Sequence, residues 1–178
     1  KEYDLLKKLD KEGKKTLMPS EQVHHYLYIC ALNGTGKGDE AKVNRYFIDR
    51  LVKLENAGAL TIYGKACSAV ILQLAGEENK AKEVLQSLME YSVYTDEMGR
   101  YFDTPRAEYS WKSYRIPTQV AAIEAISRIA KEEKTIEELK RWLLQQKRTQ
   151  DWESPVATTD AAYALLNTGE SVLDNNGA

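Results

Sequence analysis

The chain is poor in the residues that usually mark a reactive site. Its 178 residues include two cysteines, two histidines, four prolines and two phenylalanines. Cys30 and Cys67 each sit inside an apolar helical segment with neither a CxxC partner nor metal-ligand spacing. They read as buried small hydrophobes and decide nothing about redox compartment. His24 and His25 are adjacent, so on a helix they point about 100° apart, unlike the i,i+4 pair of a zinc site. No metal or cofactor is expected from them. No apolar run approaches the roughly 20 residues of a membrane-spanning helix. Neither sign of charge dominates: the formal net charge is −2 and the pI about 5.8. That removes the electrostatic case for nucleic acid or an anionic membrane as the main partner. An initiator Met and a signal peptide are both missing before Lys1-Glu2-Tyr3, so the chain reads as a piece of something longer. Sustained period-two alternation is absent as well, which predicts essentially no sheet.

What remains is helix. With 43% apolar and 29% charged residues, the chain has the size and composition of one globular domain with a real core. Two kinds of segment alternate. Residues 39–56, with Val43, Phe47, Leu51 and Leu54 on one stripe, predict an amphipathic surface helix, as do 2–10, 78–91 and 134–147. Residues 20–32, 62–75, 116–130 and 155–167 are apolar on nearly every side and predict buried helices. Ser20 after Pro19, and Ser154 before Pro155, are helix-start signals, while Gly76 and Gly169 are stops. Strict alternation of wet and buried helices argues for two layers, which both a helical solenoid and an α/α toroid satisfy. The buried helices start near 20, 62, 116 and 155, an uneven spacing that disfavours fixed-period repeats.

Three stretches carry candidate chemistry. Gly34-Thr-Gly-Lys-Gly-Asp resembles a phosphate loop in composition only, since it follows a helix and lacks the G-x-x-x-x-G-K spacing. It reads as a helix connector. Asp103, Glu108 and Asp160 would serve glycoside hydrolysis if two of them faced each other at a defined separation, although acidic residues near helix ends also complement the dipole. The aromatic segment 92–115 predicts a loop insertion. Its Tyr101, Tyr109 and Trp111 either line a groove for sugar or peptide, or pack as core under a long loop.

Two runs carry a family resemblance. One is Tyr109-Ser-Trp-Lys-Ser-Tyr-Arg-Ile-Pro-Thr-Gln-Val-Ala-Ala-Ile-Glu-Ala-Ile. The other is Arg141-Trp-Leu-Leu-Gln-Gln-Lys-Arg-Thr-Gln-Asp-Trp-Glu-Ser-Pro-Val-Ala-Thr-Thr-Asp-Ala-Ala-Tyr-Ala-Leu-Leu. Together they resemble the thioester-type helical domain of the bacterial alpha-2-macroglobulin family, most strongly over residues 105–167. The resemblance implies an all-α domain over 1–178, an α/α toroid of helical hairpins shaped like terpenoid cyclases and prenyltransferases. Four hairpins are too few to close one, so the segment would be the later part of a partial toroid.

It also implies a large periplasmic or cell-surface protein that traps the proteases cleaving its bait region. Its partners would be target proteases, met by the full-length protein, and other domains of the same chain. In thioester-bearing members a Cys-x-x-Gln motif attacks the captured protease. Here Cys30 is followed by Ala-Leu-Asn and Cys67 by Ser-Ala-Val, so no thioester residue carries over. The segment is expected to be a structural and interaction module, not an enzyme. Its motif residues Trp111, Thr118, Gln119, Trp142, Gln146, Thr149, Gln150, Trp152, Thr158 and Thr159 are expected to be mainly structural. The Thr and Gln side chains would cap helix starts and bridge neighbouring hairpins. The rival reading is a carbohydrate-active toroid enzyme built on Asp103, Glu108 or Asp160. A third is an open helical-repeat scaffold.

Overall fold

A computed structural model describes residues 1–14, 18–34, 38–102, 104–149 and 155–167, with side chains described except for 104–114, 148, 149, 155–157 and 167. The described chain is predominantly helical. In order it forms α1 (Glu2–Lys11), α2 (Glu21–Asn33), α3 (Asp39–Val52), a 3-10 turn (Ala57–Ala59), α4 (Ile62–Leu74) and α5 (Glu78–Met89). A hairpin follows, β1 (Ser92–Thr95) and β2 (Gly99–Phe102), then α6 (Thr104–Ile129), α7 (Glu133–Thr149) and α8 (Pro155–Asn167).

Local chemistry explains the boundaries. The Ser20 hydroxyl accepts from the backbone N–H of Val23 at the start of α2, and both Ser20 N–H and its O–H donate to the Glu2 carboxylate at 2.8 and 2.7 Å. One serine thereby caps α2 and ties it to the first turn of α1. Thr61 caps α4 in the same way through the N–H of Gly64. At the other end of α4, Gly76 takes φ +85°, letting Glu77 N–H reach back to the carbonyl of Leu72.

The helices form two layers around one core. In the inner row α2 packs on α4, α4 on α6, and α6 on α8. The amphipathic α3, α5 and α7 lie against that row, and α1 joins the outer layer by packing Tyr3 edge-on against Tyr46 of α3, with ring centroids 5.1 Å apart. Helix α4 is the centre: every residue from 62 to 72 is buried. The inner α6 buries Ala121, Ala122, Ile123, Ala125 and Ile126 against it.

Three expectations need correction. The apolar α2 and α8 are not buried all round. Helix α2 buries His24, Leu27 and Cys30 but leaves Tyr26 and Ile29 40% and 44% exposed. Helix α8 buries Ala161 and Ala164 but leaves Tyr163 and Leu166 47% and 59% exposed. Both stand at the ends of the inner row, where one flank has no inner neighbour. Periodicity measures how apolar a helix is, not whether a partner is present.

The second correction concerns residues 92–115. Residues 92–102 are an antiparallel hairpin, pairing Ser92 with Phe102 and Thr95 with Gly99, and residues 104–115 are the opening turns of α6. Four-residue strands are too short to show alternation, which is why no sheet was expected. Pro117 lies inside α6 instead of marking its start. The third correction follows from that: Thr118 and Gln119 lie in mid-helix, so neither is a helix-start cap.

Candidate functional site

The two exposed inner flanks face a common space. A cavity of about 350 Å3 opens between α2, α4, α6 and α8, near the small end of the ~300–1,000 Å3 range of ligand sites. Helix α2 lines it with His25, Tyr28, Ile29, Leu32 and Asn33, a stripe at helical spacing. That stripe is about 12 Å long, eight steps from His25 to Asn33 at about 1.5 Å rise each. Helix α4 adds Tyr63; α6 adds Pro117, Val120 and Arg128; α8 adds Asp160 and Tyr163.

Polar groups are arranged tightly within it. The Tyr63 hydroxyl and Nδ1 of His25 share a hydrogen bond at 2.5 Å. Arg128 is committed to Glu124 one turn earlier on α6, with Nε to Oε1 at 2.5 Å and Glu124 itself 5% exposed. Asp160 is half-buried, and loss of solvent pushes its carboxyl above the usual carboxylate range, opposed by nearby His25. Asp160 has no hydrogen-bond or ion-pair partner among the described residues. Burial also drives the Tyr28 hydroxyl far above the ordinary phenol range, reinforced by Cys67, Glu124 and Asp160, so Tyr28 remains a neutral O–H.

Comparison of the chain with known protein families, characterised proteins and solved structures returns no match.

None of the described motif residues lines the cavity. Gln119 is fully buried and its Nε2 donates to the carbonyls of Arg100 at 2.8 Å and Leu139 at 3.1 Å. It therefore fastens α6 to β2 and to α7. Trp142 is 3% exposed, with Tyr101 stacked on it at 6.5 Å between centroids and the Arg115 guanidinium 5.3 Å from its ring. Tyr101 is thus packed against the outer layer and not displayed in a groove. Gln146 is buried beside these residues on α7, and Thr118 is fully buried with its hydroxyl lacking a hydrogen-bond partner. Thr158 and Thr159 are exposed on α8. Asp103, Gln150 and Trp152 lie outside the described residues, as do the side chains of Glu108, Tyr109, Trp111 and Thr149.

Of the three carboxylates singled out from the sequence, Asp160 lines the cavity. Both cysteines are free and buried, and burial pushes the Cys67 thiol up to about 12, far from the thiolate a nucleophile needs. Among the described residues no group of three or more His, Cys, Asp or Glu side chains is placed to hold a metal ion. Sequence reasoning missed His25, Tyr28 and Tyr63. Their one signal was polarity on helices otherwise expected to be buried all round.

Proposed function

We propose that this chain is a helical scaffold domain, part of an α/α toroid, in a bacterial alpha-2-macroglobulin-like protease trap. The reading rests on the Trp-Leu-Leu to Trp-x-Ser run, and the observation that favours a scaffold role is the placement of its neighbours. Trp142, Gln146 and Gln119 are buried at the joint of hairpin, α6 and α7, where they hold elements together, and none of them lines the cavity. Exposed Tyr26 on α2 and Leu166 on α8, neither of which lines the cavity, suit a ring with further helices beyond both ends. The full-length protein acts in the periplasm or at the cell surface, and this segment supplies no thioester chemistry.

The test uses the full-length protein carrying this domain. It is incubated with a protease, and cleavage of a protein substrate is compared with cleavage of a small chromogenic peptide. Trapping predicts that hydrolysis of the protein substrate falls at least tenfold while hydrolysis of the small peptide persists, with protease and trap co-eluting. Digestion of the protein with no protection of the large substrate sinks the reading.

One observation favours the carbohydrate-active reading: Asp160 sits in a tyrosine-lined cavity. Hydrolysis of a polysaccharide panel, abolished by Asp160→Asn, would establish it. No hydrolysis across the panel removes it.

A further inference from the structure

We propose that the cavity between α2, α4, α6 and α8 is a binding site for an aliphatic ammonium ion, with the cationic head at Asp160 and the chain along Ile29, Leu32 and Val120. The inference is independent of the protease-trap reading.

Charge decides the class of ligand. Arg128 and Glu124 neutralise each other through their ion pair. His25 is tied to the Tyr63 hydroxyl through its Nδ1. Asp160 is then the one carboxylate lining the cavity, and it has no ion-pair or hydrogen-bond partner among the described residues. A half-buried carboxylate without a partner carries a desolvation cost that a ligand cation removes.

The walls decide the rest. Tyr28, Tyr63 and Tyr163 place three aromatic rings around the same space, and ring faces attract cations more strongly once water is excluded. Ile29, Leu32 and Val120 give the remaining wall an aliphatic surface that accepts methylenes. Ile29 and Tyr163 are 44% and 47% exposed, so a ligand reaches the cavity without opening the core. A carboxylate ligand would face Asp160 with a guanidinium already taken, and a neutral alcohol would leave Asp160 unpaired.

The same chemistry arises from a free alkylamine or from a lysine side chain of a protein, and the experiment separates them. The 178-residue chain is titrated at pH 7.5 with n-pentylammonium, 1-pentanol and pentanoate, and with Nα-acetyl-lysine amide, using tyrosine fluorescence and heteronuclear NMR. Pentylammonium is expected to bind about tenfold or more tighter than pentanol, the factor that one desolvated charge–charge or cation–π contact of ~1.4 kcal/mol gives. Pentanoate should bind most weakly. Asp160→Asn should erase the preference for the cation, Tyr163→Ala should weaken it roughly three- to tenfold within the cation–π range, and Tyr163→Phe should retain it. Thermal melts of the three variants check that the fold is kept. If Asp160→Asn does not fold, the two Tyr163 variants and the pentanol comparison carry the decision. Comparable affinity for lysine amide assigns the site to protein lysines, and binding of pentylammonium alone assigns it to free amines; both support the proposal. Equal affinity for pentanol, tightest binding of pentanoate, or an Asp160→Asn protein that binds the cation unchanged each overturns it.

Discussion

Gly99→Ala tests whether the hairpin is built onto α7 by backbone contact. Gly99 has φ +78°, where an added Cβ meets its own carbonyl and costs roughly 1 kcal/mol. The Cβ would also collide with the Glu138 carbonyl oxygen and stand 3.0 Å from Cβ of Arg141 and 3.3 Å from the backbone N of Trp142. Those neighbours are helix backbone and the root of a side chain, so none can swing away. Relief requires the hairpin to lift off α7, which would loosen the Tyr101–Trp142 stack and the Arg100–Glu138 ion pair at 2.8 Å. Overpacking of this kind adds about 1–3 kcal/mol, for a total of about 2–4 kcal/mol. Gly76→Ala is the control. Gly76 has φ +85° with open space around it, so it pays the conformational cost alone, about 1 kcal/mol. Urea unfolding followed by far-ultraviolet dichroism should give a difference of about 1–3 kcal/mol between the variants. Melting temperature should fall by about 10 °C for Gly99→Ala and about 3 °C for Gly76→Ala. Equal losses in the two variants would show that the close approach is not there.

Other perturbations separate the remaining interactions. Gln119→Leu should cost about 2 kcal/mol in urea unfolding, one for each hydrogen bond to the carbonyls of Arg100 and Leu139. Gln119→Glu should cost more, because a buried carboxylate cannot donate to both carbonyls, and a loss below ~0.5 kcal/mol for either variant refutes the bridge. Lys65 is 1% exposed, with Nζ 2.9 Å from the Ser87 hydroxyl and 4.2 Å from the Tyr91 ring centroid, and burial lowers its pKa. Lys65→Met should therefore stay within about 1 kcal/mol of the parent while Lys65→Ala loses about 3 by leaving a cavity, and a reversed order in unfolding experiments rejects this. His24 is buried, its Nδ1–H donating to the Ser20 carbonyl at 3.0 Å, and desolvation holds its pKa below 6.5. The unfolded chain then takes up a proton that the folded chain refuses as pH drops below about 6.5, so stability falls with pH in that window. His24→Gln should flatten this slope in melts from pH 7.5 to 5.5; an unchanged slope assigns it to another group.

Much of the helical layout was readable because its signals are local. Stripes such as Val84, Leu85 and Leu88, and caps such as Ser20 and Gly76, act over a few residues, and the helices they predict end within a turn of the observed ones, whereas α3 stops at Val52, four residues short of the expected 56. The start of α6 was not readable, because Pro117 and the aromatic residues before it resemble a loop, whereas the helix runs unbroken from Thr104. The hairpin failed for a different reason. Its two four-residue strands gain their stability from α7, through Gly99, Tyr101 and Phe102, and not from each other alone.

The cavity was illegible for a third reason. His25 and Tyr63 are 38 residues apart and meet because α2 and α4 pack side by side; Asp160 joins them from α8. No spacing rule encodes that meeting. The structure nevertheless sorts the polar residues of the inner row into two groups with different consequences. Gln119 and Lys65 are buried against backbone or side-chain acceptors of the next layer, so changing them moves stability. His25, Asp160 and Tyr163 line open space at the ends of the row, where burial costs the Asp160 carboxylate more than nearby His25 returns. A group that folding leaves uncompensated has little reason to be there for stability. Asp160→Asn should accordingly leave the melt unchanged or slightly raised while altering what the cavity binds, whereas Gln119→Leu should do the opposite. A scaffold with an independent ligand site requires both halves of that result.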